Sequence, residues 1–164
     1  MAALTQKNKQ VVREEDFEID LDVSIHYAEG LDNPNTYPGV RSRYYKVICW
    51  VHPDDQYETH LAQGLPNPVW ETKRRMELDK SLDIRFLHVE VLRYNIPGFF
   101  PATCSSSGVT VVGRARIPLP KLSHKKSGRH GLVRPEGDGC RADGHIGLTL
   151  EMNKLVIPPH RSFR

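Results

Sequence analysis

The chain has 164 residues, the length of one domain, and can bury a core without disulfide support. Its 23 basic and 20 acidic residues give a net charge of +3, too small by itself to mark a nucleic-acid binder. No uninterrupted apolar run approaches the roughly 18 residues that cross a bilayer, and the first residues lack a signal-like apolar core, which predicts a soluble or peripheral protein.

Residues 1–16 are polar and unpatterned and read as a flexible lead-in. Strict alternation then begins. Phe17, Ile19, Leu21, Val23, Ile25 and Tyr27 point one way, Glu18, Asp20, Asp22, Ser24 and His26 the other, as in a long antiparallel strand with one wet face. Residues 28–42 hold Gly, Pro, Asn and Asp at the density of a shaped loop, and 43–51 resume a strand. A turn at 52–55 leads into a shorter strand over 56–62, and a proline-stiffened loop at 65–68 precedes a strand that ends near Leu78.

Residues 84–94 and 109–117 are rich in β-branched and aromatic residues and form a central pair of strands. In the second of these, Val111, Gly113, Ala115 and Ile117 share one face, and Val112, Arg114 and Arg116 the other. The long loop between them carries Phe99 and Phe100, flanked by Pro97, Gly98 and Pro101. Loops of this length in compact domains are usually functional or disordered, and two adjacent aromatics argue for the first. Residues 121–129 read as a basic connection, 132–133 as a short strand and 136–144 as a glycine-rich turn. Ile146, Leu148, Leu150 and Met152 make a closing strand, followed by an irregular tail over 153–164. About eight short strands without a convincing amphipathic helix predict an all-β, eight-stranded antiparallel sandwich over residues 17–152.

The charge is lopsided. Residues 91–135 contain no Asp or Glu but include Arg93, Arg114, Arg116, Lys121, Lys125, Lys126, Arg129 and Arg134, whereas Glu14, Glu15, Asp16, Glu18, Asp20 and Asp22 crowd the entry. Two readings stand open: a cationic half that attracts anionic surfaces or acidic partners, or scattered solvated side chains. Cys49, Cys104 and Cys140 are odd in number and far apart, which predicts free thiols in a reducing, cytoplasmic compartment.

In order along the chain, the landmarks resemble a C2 domain. They are Ala28-Glu29-Gly30-Leu31, Tyr44-Tyr45-Lys46-Val47, Asn67-Pro68-Val69-Trp70, Leu87-His88-Val89-Glu90-Val91, the 112–119 run GRARIPL with its preceding valine, and Gly144 to Leu150. The run Gly131-Leu132-Val133-Arg134-Pro135 is similar to that of small plant C2 proteins. The resemblance implies an eight-stranded sandwich that binds lipids or proteins at one end, with calcium held in some members by aspartates of the first and third loops. Here Thr36, Ser42, Arg93 and Asn95 fall at those positions and only Asp32 is nearby, so no metal or other cofactor is expected, calcium being a hard ion that takes six to eight oxygens.

For Arg93 there are two readings, a fixed charge that binds phosphate in place of calcium, or a side chain that pairs with Asp32 or another carboxylate and stiffens the loops. Phe99 and Phe100 either enter a bilayer's headgroup zone or fold back on the sandwich. A basic patch on the strands could use Lys46, Lys73 and Arg75, although Lys73, Arg74 and Arg75 cannot all point together. The expected binding set is therefore Arg93, Asn95, Phe99, Phe100, Arg114, Arg116, Lys125 and Lys126, with Lys46, Lys73 and Arg75 secondary.

Catalysis is not expected: Ser105-Ser106-Ser107 lacks a nucleophile elbow, and no glycine-rich loop opens a helix. His124, His130, Cys140 and His145 match no zinc spacing. No nucleic-acid partner is expected either. The anticipated function is calcium-independent, reversible docking on anionic phospholipid membrane by a cytoplasmic, peripheral protein. The alternative is a scaffold that binds an acidic protein surface.

Overall fold

The computed structural model describes residues 16–95 and 108–158. Nine strands account for nearly all of its regular structure: β1 (Phe17–Glu29), β2 (Tyr44–Trp50), β3 (Gln56–Glu58), β4 (Ala62–Gln63), β5 (Val69–Leu78), β6 (Phe86–Tyr94), β7 (Val109–Pro118), β8 (Lys125–Glu136) and β9 (Gly139–Val156). Their order is β3-β2-β6-β7-β8-β9-β1-β5, with β4 also on β2, and every pairing is antiparallel. The halves β3/β4-β2-β6-β7 and β8-β9-β1-β5 are joined by one residue pair, Arg114↔Val133. This is the expected all-β antiparallel sandwich.

The core follows from period-two alternation. Leu21, Val23 and Ile25 of β1, Tyr45, Val47 and Cys49 of β2, Leu87, Val89 and Val91 of β6, and Ile146, Leu148 and Leu150 of β9 are at most 1% exposed. Alternation breaks where bulges intervene. A register shift between Ile25 and Tyr27 changes the phase, so Ala28 rather than Tyr27 faces the core. The Tyr27 ring instead lies across Gly147, where a Cβ would sit 2.5 Å from the ring edge. A second shift, between Val91 and Leu92, buries Val112, which strict alternation had placed on one face with Arg114 and Arg116, both of which are exposed.

Four expectations require correction. The strand expected over 56–62 is two pieces, because Thr59 interrupts it: its Oγ1 accepts a hydrogen bond from the Val47 amide, and its own amide donates to the Val47 carbonyl. This raises the strand count from eight to nine. The basic connection over 121–129 is mostly the start of β8, a 12-residue strand paired with β9 from Lys125↔Glu151 to Glu136↔Gly139. The turn expected over 136–144 shrinks to Gly137-Asp138, with Gly137 at φ +55°, the left-handed region that tight hairpins require. β9 also runs to Val156, pairing Lys154, Leu155 and Val156 with Ile19, Glu18 and Phe17, where an irregular tail was expected.

Candidate functional site

Three connections meet at one end of the sandwich. The β1–β2 loop and the β4–β5 loop are tied by the Gly64 amide, which donates to the Arg43 carbonyl at 2.7 Å, and they enclose an apolar recess of about 320 Å³. The β6–β7 connection leaves from the same end: the Asn95 amide donates to the Gly108 carbonyl at 2.7 Å and closes its base. Ser42 Oγ donates to the Tyr94 carbonyl at 3.2 Å, which fixes the first loop to β6.

At the centre of this end lies Asp32, fully buried and at φ +47°, a conformation Asp tolerates better than most residues. Its Oδ1 accepts from Arg93 at 2.6 Å and from Arg134 at 2.5 Å, its Oδ2 from the Tyr45 hydroxyl at 2.7 Å, and its carbonyl from Arg43 at 2.8 Å. Arg134 also lies 3.5 Å from Asp143 and 3.8 Å from the centre of the Tyr37 ring. Burial works to raise the Asp32 carboxyl. The hydrogen bonds from Arg134, Tyr45 and Arg93 outweigh it and hold the group below the usual carboxylate range. Burial, then the neighbouring Asp32, pushes the Tyr45 hydroxyl up. Asp143 goes up as well, chiefly through burial.

Arg93 is thus committed to Asp32, with its side chain only 13% exposed, and is not the open phosphate-binding charge considered above. Thr36 lies in the first-loop turn, its amide on the Asn33 carbonyl at 2.9 Å, and Asn95 lines a small recess with Arg93 and Ser42. Phe99 and Phe100 lie outside the described residues.

The secondary cations are also engaged. Lys46 donates to Glu58 at 2.9 Å. Arg75 holds Asp22 at 3.0 Å and Lys73 stands 3.9 Å from it, so Asp20 and Asp22 are only 4% and 5% exposed although they point to the outer face. Arg75 is the main reason the Asp22 carboxyl lies below its ordinary range. Arg74 points elsewhere, over the Tyr57 ring, as strand alternation requires. Arg114 is 3.5 Å from Glu90. Arg116, Lys125 and Lys126 make no ion pair with a described carboxylate.

Sequence reasoning missed three members of this end. Arg134 sits two residues from buried Leu132, hence on the inward face of β8, a signal visible only once that stretch is a strand. Tyr45 reads as a core residue and gives no hint of its hydrogen bond. Leu65, a large apolar side chain on the second loop, is 71% exposed.

The family model of the C2 domain matches residues 20–132, more than half of the chain. The chain belongs to the C2 domain family. Among solved structures it is similar to a C2 domain-containing protein from an elicitor-responsive gene (16% identity, TM-score 0.59, 90% of this chain and 94% of that one). It is also similar to the C2A domain of plant extended synaptotagmin 1 (15% identity, TM-score 0.57, 85% and 95% covered). Extended synaptotagmin 2, as a C2A–C2B pair, matches with 16% identity and TM-score 0.58, over 87% of this chain and 42% of that one. At these identities the likeness concerns the fold. A search of the curated proteins finds no match.

Proposed function

We propose that this C2 domain is a non-catalytic module that docks reversibly on anionic phospholipid membrane without calcium. The observation that carries this reading is the Asp32 cluster. Calcium seeks several free carboxylate oxygens, and the acid nearest the expected ligand positions is fully buried with both oxygens engaged by two guanidiniums and a phenol. Among the described residues no group of three or more His, Cys, Asp or Glu side chains could hold a metal ion. The charge a metal would bring is supplied by Arg93 and Arg134 as part of the fold. The loop end therefore needs no ion to relieve clustered carboxylates.

What the end offers a bilayer is apolar and cationic. Leu65 is exposed on the second loop, next to Pro66, and Arg41 is exposed on the first. Phe99 and Phe100 belong to the connection that begins and ends at this same end. Burying each large apolar side chain contributes about 1.5–3 kcal/mol, and each cation near an anionic surface about 1 kcal/mol, which together give weak, reversible attachment. Vesicle sedimentation with phosphatidylcholine alone and with added phosphatidylserine, each in calcium or chelator, tests the reading. Binding that requires the anionic lipid and ignores calcium is expected. A calcium requirement, or no difference between the two vesicles, refutes it.

A further inference from the structure

The joint between β7 and β8 is narrow. Leu132 packs on Gly113, where a Cβ would lie 3.0 Å from its side chain, and Arg114↔Val133 is the single residue pair between the strands. Beyond that joint the two strands part around an open cavity of about 540 Å³, lined by Trp50, His88, Glu90, Arg114, Arg116 and His130. From Lys125 to Gly131, β8 pairs with β9 along one edge, and among the described residues no strand and no other backbone hydrogen bond engages its opposite edge. The cavity reaches this stretch at His130 and Gly131, and two glycines leave the strand faces bare: a Cβ on Gly131 would meet nothing within 4 Å, and one on Gly128 only His130 Nε2 at 3.9 Å. A run of unpaired N–H and C=O groups with room beside it is a template for another strand.

The walls specify what that strand carries. Arg114 and Arg116 come from β7, and Glu90, already 3.5 Å from Arg114, is the only carboxylate among the described lining residues; Lys126 stands on β8, four residues before the lining residue His130. The sequence from 91 to 135 holds no acidic residue. Burial first, and then Lys126, works against the protonated form of His130, and its Nε2 is buried without a described partner. On the far side Trp50 stacks on His88 at 5.5 Å and 17°, a flat surface for one large side chain.

We propose that this opening is a docking cleft for an extended acidic segment of a partner protein. The segment adds as a strand along the free edge of β8, with carboxylates on Arg114, Arg116 and Lys126 and an aromatic or aliphatic side chain on the Trp50–His88 stack. A backbone edge is satisfied by another backbone, which a bilayer does not supply, and that favours peptide over lipid. The cleft lies towards the ends of β2 and β7 remote from the three loops, so the proposal is independent of the membrane reading.

The probe is a fluorescein-labelled peptide of eight residues alternating glutamate with valine and one phenylalanine. Its controls are the same peptide with a central proline and a version with lysine for glutamate. Anisotropy should show binding of the acidic peptide, loss of roughly tenfold or more with proline, which removes a main-chain donor, and none with lysine. Hydrogen exchange should slow at Gly128 and His130 when the acidic peptide is bound. Replacing Arg114→Glu and Arg116→Glu together should weaken it by roughly tenfold or more. Lys126→Glu is the second variant should that pair fail to melt like the parent. Equal binding of the proline peptide, or unchanged exchange along β8, overturns the proposal. So does a variant that loses anionic vesicles while keeping the peptide, which would make the cleft a headgroup site.

Discussion

Replacing Arg134 by methionine removes the guanidinium that sits on Asp32 while keeping much of the apolar stem. Breaking one side of a buried ion pair costs about 3–5 kcal/mol. Arg93 and Tyr45 remain on the carboxylate, so the lower end, about 3 kcal/mol, is expected. For a domain of this length that corresponds to a fall in Tm of about 6–12 °C, read by calorimetry or circular dichroism. The double variant Asp32→Asn with Arg134→Met should cost less than the sum of the singles, with a coupling of about 2 kcal/mol in the double-mutant cycle. The pH dependence has a definite sign. Asp32 is held below its unfolded value, so its contribution is fully present above about pH 4 and is lost as the pH falls through the folded value. Asp32→Asn should therefore flatten the acid limb of the stability curve. A coupling under about 0.5 kcal/mol, or an acid limb unchanged by Asp32→Asn, would refute the idea that this cluster holds the loop end together.

Leu65→Ser should leave Tm within about 1–2 °C, because the side chain is 71% exposed, yet weaken anionic-vesicle binding by about tenfold or more. A large drop in Tm would mean that the leucine packs rather than inserts. Gly147→Ala places a methyl 2.5 Å from the Tyr27 ring and should destabilise by about 1–3 kcal/mol; pairing it with Tyr27→Ala should recover most of that loss in urea titrations. Burial pushes the Cys49 thiol up to about 12, so a thiol reagent at pH 8 should label exposed Cys140 in the native protein and reach Cys49 only in denaturant, as peptide mass mapping would read; native labelling of Cys49 would contradict the packing of β2.

The amino-acid pattern by itself determined the class of fold and the sites of the main strands. Alternation is a property of each residue's own side chain, and it put Leu21, Val23 and Ile25 on one face of the first strand and Ile146, Leu148 and Leu150 on one face of the last, the faces that are buried, with no knowledge of their neighbours. The resemblance to C2 domains pointed to the loop end, and at the positions it implies, 36, 42, 93 and 95, the sequence carries no acid. Tertiary structure decided the rest. Lys125 to Gly131 is a poor strand by composition and becomes one because β9 offers it a full ladder. Tyr27 and Val112 changed faces because bulges shift the phase, which depends on the partner strand. The roles of Arg93 and Arg134 were settled by Asp32, 61 and 102 residues away along the chain. Periodicity reports which side of a strand a residue takes. Which charges meet, and which edge is left without a neighbour, follow only when distant segments are brought together.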